Sequence, residues 1–254
     1  MLTKMSRLRP IRNISLPASS IPDSSETRLL LPPPFRAFHA GAGDILQQAQ
    51  VQVDQGAGTI LWKNADGVLS LAVILEPGPP LVSRAADVDL GYVSALAALC
   101  DSLTHHGQPE RRLVLHWPDR IFYDEAMLAG ARWRVGPKGA DGLPEWVIFA
   151  AEIIAARDGL DEPGLYPGST SLAEEEFPEP APMIESFASY LKLVIDRWSH
   201  EGPEAVLRRV LDRVHQHDAL AGARIVDGRL QLPPLDSVLD ETAWRDPARQ
   251  GPAW

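Results

Sequence analysis

Between Leu113 and Val135 the chain reads LVLHWPDRIFYDEAMLAGARWRV, and this stretch limits the fold more tightly than any other. Leu113, Val114 and Leu115 form the apolar run of a short buried strand. Trp117-Pro118-Asp119 breaks it, and Ile121-Phe122-Tyr123 resumes it. Asp124-Glu125 supplies a turn, after which Leu128-Ala129-Gly130-Ala131 makes a strand of small residues. A ligand or a second backbone can lie close against such a strand because no side chain stands in the way. The stretch therefore has the geometry of a binding floor.

The flanking segments alternate helix and strand periodicity. Asp44 is placed to cap a helix from Ile45 to about Gln55, with Leu46, Ala49 and Val53 inward, and Gly56-Ala57-Gly58 ends it. Thr59 to Trp62 and Val68 to Leu75 are strands, joined by a hairpin turn over Asn64-Ala65-Asp66-Gly67. Asp89 to His106 is a second helix with Val93, Leu96, Cys100 and Leu103 on one stripe, and Gly107 stops it. Trp146 to Ala151 is an apolar strand. A proline-bearing linker then leads to a helix from about Met183 to Ser199, and Pro203 opens another with Val206, Val210 and Val214 inward. Such an order predicts an α/β domain, a mixed β-sheet flanked by helices.

Three regions follow from this layout. Residues 1–30 are a disordered leader: Lys4, Arg7, Arg9 and Arg12 precede the first acid, Asp23, with neither an amphipathic pattern nor an apolar signal core. Residues 31–215 form the main domain. Residues 219–254 form a small C-terminal β-containing cap, with a hairpin around Asp227-Gly228 and a tail from Trp244 to Trp254.

Charge and cysteine content exclude several function classes. With 24 basic against 34 acidic residues the formal charge is −10, which gives no bulk attraction to nucleic acid or an anionic membrane. One cysteine permits neither a disulfide framework nor a multi-cysteine zinc site and fits a reducing cytoplasm. No apolar run reaches the roughly 18 residues of a membrane span, since even WVIFAAEIIAA contains Glu152. His105-His106 and the pair His215 and His217 lack the neighbouring ligands of a closed metal site, so no metal site is expected.

The W-P-D and L-A-G elements, in that order around a turn, resemble the core of the biotin and lipoate protein ligase family, in which K-W-P-N-D is followed by K-L-A-G or K-V-G-G. The resemblance extends to the glycines of Gln55-Gly56-Ala57-Gly58-Thr59 with Trp62, which are similar in position to the family's G-R-G-R-x-G-R-x-W loop. It also takes in Trp146 to Ala156, Ser169 to Glu175, and the helices ending at Arg197-Trp198-Ser199. Agreement in order across these segments is more specific than any one of them. The resemblance implies an acyl ligand such as biotin or lipoate, ATP with Mg2+, and a biotinyl or lipoyl carrier domain whose lysine receives the acyl group. It also implies a site formed by Gly56, Ala57, Gly58, Thr59, Trp62, Trp117, Pro118, Asp119, Leu128, Ala129, Gly130 and Ala131.

Departures from the family pattern fall on its cations. The lysine that helps hold the acyl substrate is His116 here, the lysine that bridges carboxylate and α-phosphate is Met127, and the loop arginines are gone. Joining two anions requires preorganised positive charge, and loss of one such group costs about a hundredfold to a thousandfold in rate. Arg120, Arg132, Arg134 and Lys138 are candidate replacements, and Arg132 stands out among them because alternate strand residues share a face and would set it beside Gly130. The alternative is a solvent-facing arginine. His116 is either catalytic or a packed strand histidine, and Asp119 orients it, holds magnesium or caps the Pro118 turn. Cys100, on an apolar helix stripe, is expected in the core. Two functions remain open: a divergent ligase or acyltransferase, and a non-catalytic ligand- or carrier-domain-binding protein on the same fold.

Overall fold

The computed structural model describes residues 29–79, 81–82, 84–160, 162–215, 224–226, 229–231, 235, 239 and 243–254. The leader expected over residues 1–28 and the Asp227-Gly228 turn lie outside these. Seven strands make one mixed sheet: β1 (Arg36–His39), β2 (Thr59–Ala65), β3 (Val68–Leu75), β4 (Leu113–His116), β5 (Arg120–Tyr123), β6 (Ala126–Val135) and β7 (Val147–Ile154). Their spatial order is β1-β2-β3-β7-β6-β5-β4. Only the β1–β2 pairing within it is parallel. The predicted α/β class with a mixed sheet is the observed one.

The central strands read as continuous apolar runs because both of their faces are covered. Every residue of β7 is buried, as is β3 apart from Leu75. One face carries α2 (Asp89–His106), α3 (Pro180–Glu201) and α4 (Pro203–Leu211). Sandwiched between the sheet and α3, helix α2 buries residues all round, from Leu90 through Leu103. Helix α3 lays Ile184, Phe187, Leu191, Val194 and Trp198 onto the same core. Arg209 of α4 and Arg213, just beyond its end, grip Asp101 of α2 at 2.5 and 2.7 Å. Gly107 ends α2 for a reason other than a left-handed cap: its φ is −75°, and a Cβ there would come within 2.8 Å of the Tyr123 hydroxyl.

The opposite face is covered more thinly. Helix α1 (Ile45–Val51) is shorter than the predicted span, a 3-10 turn over Val53–Gln55 completing it. It packs Ile45, Leu46 and Ala49 on Leu61, Ala72, Ile74, Ile148 and Ala150. The rest of this face is covered by the C-terminus. The final residues, expected as a tail, instead form a hairpin of β10 (Arg245–Asp246) and β11 (Gly251–Pro252) lying on the sheet; β8 (Arg224–Val226) and β9 (Arg229–Gln231) precede it as a separate pair. Gly251 permits that approach: a Cβ there would sit 2.5 Å from Val68 Cγ2. Among the described residues no helix is long and apolar enough to cross a membrane.

Candidate functional site

Strand β6 divides its side chains between the two faces. Ala129, Ala131 and Trp133 enter the helical core. Gly130 and Arg132 face the C-terminal hairpin, as the alternation of a strand requires. The floor expected of Leu128-Ala129-Gly130-Ala131 thus reduces to Gly130. A register shift contributes: Ile121 pairs with Ala129 and Phe122 with Met127, so Leu128 is the extra residue of a bulge and joins Ala129 in the core.

Around Gly130 the structure gathers charges that lie far apart in sequence. Arg132 Nη1 donates to Asp44 Oδ2 at 2.7 Å and to Glu152 Oε1 at 3.0 Å. Glu152, paired with Gly130 across the β6–β7 ladder, is fully buried. Arg245 closes the cluster, its Nε donating to Glu152 Oε2 at 2.6 Å and its Nη2 to Asp44 Oδ2 at 2.9 Å. Two arginines therefore neutralise two carboxylates. Asp44 is also the cap of α1, accepting from the Gln47 N–H at 3.0 Å. Burial works to raise its pKa, but the hydrogen bond and charge of Arg132, the Gln47 N–H and Arg245 outweigh burial and hold it below the ordinary value.

Trp244 stands on Gly130 itself. A Cβ at that position would lie 2.4 Å from the indole ring, so the small residue is required for the indole to sit there. The Trp244 Nε1–H donates to Asp119 Oδ2 at 2.6 Å, a bond buried from solvent. Burial raises the Asp119 pKa, against the opposing pull of Trp244 and Arg120.

The remaining predicted residues lie elsewhere. His116 is on β4, two strands from Arg132, stacked on Phe122 at 4.0 Å with His215 at 4.9 Å. Trp117 is buried against Tyr92, whose hydroxyl donates to the Pro118 carbonyl at 2.8 Å. The glycine loop is engaged by its own chain: the Ala57 N–H donates to Glu76 Oε1 at 3.1 Å, and Thr59 Oγ1 donates to the Gly56 carbonyl at 2.8 Å. Gly58, at φ +81°, lies against the Pro34 carbonyl, which a Cβ would meet at 3.1 Å. Ala57 and Gly58 line a cleft of about 260 Å³ together with Phe35, Val88, Ser94 and Trp198. That cleft belongs to the helical side, as does Trp62, which meets His39 edge-on. Cys100 is buried in α2 with its thiol pushed up to about 12 by burial, so it is no nucleophile.

Sequence reading singled out Asp119, Gly130 and Arg132 and missed Glu152, Trp244 and Arg245 as their partners. A signal for Glu152 existed, since a carboxylate inside an apolar strand needs a cation. The residues do not fit an acyl-adenylate. Arg132 is held by two carboxylates, Met127 is nearly buried where the resemblance places a lysine, and Trp244 fills the space above Gly130. Among the described residues no group of three or more His, Cys, Asp or Glu could hold a metal ion.

The comparisons with known proteins agree with this scaffold. Residues 31–211 match the model of the biotin/lipoate A/B protein ligase family. The chain belongs to that family. A biotin protein ligase-like protein of unknown function from Silicibacter sp. TM1040 is similar at 22% identity and TM-score 0.62, over 80% of this chain and 86% of that one. The biotin protein ligase of Aquifex aeolicus matches at 14% identity and TM-score 0.53, over 71% of this chain and 78% of that one. In complex with biotin and ATP it matches at 12% identity and TM-score 0.51, over 70% and 78%. At these identities the likeness is one of fold. None of the curated proteins matches the chain.

Proposed function

We propose that this chain is a non-adenylating member of its family: a recognition protein that keeps the ligase scaffold and uses the Gly130 face for binding. The observation that supports this reading is the neutral cluster of Arg132, Asp44, Glu152 and Arg245 beneath the Trp244 indole. A site that condenses a carboxylate with ATP must present net positive charge to both anions. Here the one buried arginine on the floor is fully committed to carboxylates. The single buried cysteine fits a reducing cytoplasm as its compartment.

A second reading keeps the enzyme. If the hairpin leaves, Gly130 offers an open floor, and a ligase or acyltransferase acting on biotin, lipoate or a related acid with ATP and Mg2+ would transfer the acyl group to a carrier-domain lysine. The two readings separate in acid-dependent exchange of pyrophosphate into ATP, run with biotin, lipoate and octanoate on the intact chain and on a Trp244→Ala variant. No exchange in either protein is the expected outcome. Exchange in both establishes an ordinary ligase, and exchange only in Trp244→Ala establishes a ligase closed by its own C-terminus.

A further inference from the structure

The hairpin that closes the Gly130 face makes its contacts in the manner of a ligand. Trp244 inserts a flat ring over a glycine and donates one hydrogen bond to a buried carboxylate, and the next residue places a guanidinium between two more. Without Trp244 and Arg245 the same surface would present Asp44, Asp119 and Glu152 against Arg132 and the more exposed Arg120. Such a surface is acidic at its centre. It favours an aromatic donor joined to a cation and disfavours an acyl-adenylate, whose phosphate would meet those carboxylates.

Closure by the hairpin is also incomplete in its bonding. Of the six buried side-chain polar atoms without a hydrogen-bond partner among the described residues, Gln250 Oε1 and Trp254 Nε1 belong to this short C-terminal segment and the other four to the body of the domain. Leaving such groups unmade costs free energy that release to water would recover. Two unmade groups on so short a segment weaken its hold relative to a fully bonded hairpin and favour exchange with a competitor.

We propose that the Gly130 face is a peptide-recognition site selective for an aromatic N–H donor followed by an arginine, occupied in cis by Trp244-Arg245 and able to take the same pair from another chain. This rests on the reading of the face as a non-adenylating binding surface. Asp119 selects the indole N–H, Asp44 and Glu152 select the guanidinium, and Gly130 sets the depth at which the ring lies.

The probe is a fluorescein-labelled peptide with the sequence of Ala243–Trp254, titrated by anisotropy against the full-length chain and against a full-length W244A/R245A variant. Saturable binding to the variant is expected, with at least tenfold weaker binding to the unaltered chain, whose own hairpin competes. The same peptide with alanine at the positions of Trp244 and Arg245 should bind neither protein, and biotin, lipoate or biotinyl-adenylate should not displace the parent peptide. No binding to a folded variant, or binding indifferent to the residues at the Trp244 and Arg245 positions of the peptide, overturns the proposal. If the variant does not fold, the unaltered chain decides: excess peptide must speed amide exchange in residues 243–254, and unchanged exchange overturns the proposal. Pyrophosphate exchange together with selective peptide binding would defeat only the non-adenylating reading; absence of both would defeat only the peptide site.

Discussion

On its α2 side the sheet is sealed mainly by apolar side chains, with the Asp101 ion pairs set out on α2 and α4, whereas on its α1 side a small apolar cluster gives way to Asp44, Glu152, Arg132 and, from the C-terminus, Arg245 and the Trp244 indole. The first face is insensitive to detail, since volume and apolar character suffice to fill it. The second depends on particular atoms, because a buried carboxylate that loses its arginine is left uncompensated. A scaffold with one robust face and one specific face can change what the second binds without losing its fold.

Three perturbations would sharpen that contrast. Phe187, fully buried between α3 and the sheet, should be the most sensitive position: Phe187→Ala is expected to cost about 3–5 kcal/mol in urea denaturation. The C-terminal amides of that variant should lose no more protection than its overall stability explains. Glu152→Ala should cost less than the roughly 3–5 kcal/mol of breaking a buried ion pair outright, because Arg132 and Arg245 keep Asp44 as a shared partner. Its effect should include detachment of the hairpin, seen as early proteolysis after Arg245 or Arg249. Equal costs without detachment would erase the distinction between the faces.

The smallest effects should be those of pH, and they run in opposite directions at two carboxylates of the same site. Asp44 has a depressed folded-state pKa, so its contribution is present above the unfolded value and is lost as pH falls through the folded one. Asp119 has a raised folded-state pKa. Its contribution is complete below the unfolded value and is lost as pH rises through the folded one. Asp44→Asn should therefore flatten the loss of stability on acidification below about pH 5, whereas Asp119→Asn should leave neutral stability equal or raised. An identical pH profile for both variants would contradict the assigned environments.

What could be read from the sequence follows the same division. The helical face was legible because its information is local: Val93, Leu96 and Leu103 fix α2, and Ile184, Phe187 and Leu191 fix the inner stripe of α3, each through spacing alone. Strand alternation also placed Arg132 beside Gly130 on one face. The rest of the site was not legible, because its bonds join Asp119 to Trp244 and Asp44 to Arg245 across most of the chain. No periodicity encodes such pairs. Leu128 lies off the floor because of a bulge in β6 that leaves no trace in a run of small apolar residues, and Ala129 and Ala131 because the alternation that sets Gly130 and Arg132 on one face turns them to the other. In the Gly56–Gly58 loop, Gly58 gives room to the Pro34 carbonyl, a contact that no sequence spacing announces.

Hydrogen exchange tests most directly whether the chain's own C-terminus closes the Gly130 face. The Ala253 amide bonds to the Trp244 carbonyl at 2.8 Å and the Gln250 amide to Asp246 at 2.9 Å, so both should be protected in the unaltered protein. In Gly130→Ala the added methyl occupies the space of the indole ring. Protection at Ala253 and Gln250 should then be lost while Leu71 and Ala151, paired at the centre of the sheet, keep theirs. Fast exchange at the C-terminus of the unaltered protein, or full protection in Gly130→Ala, would contradict the account.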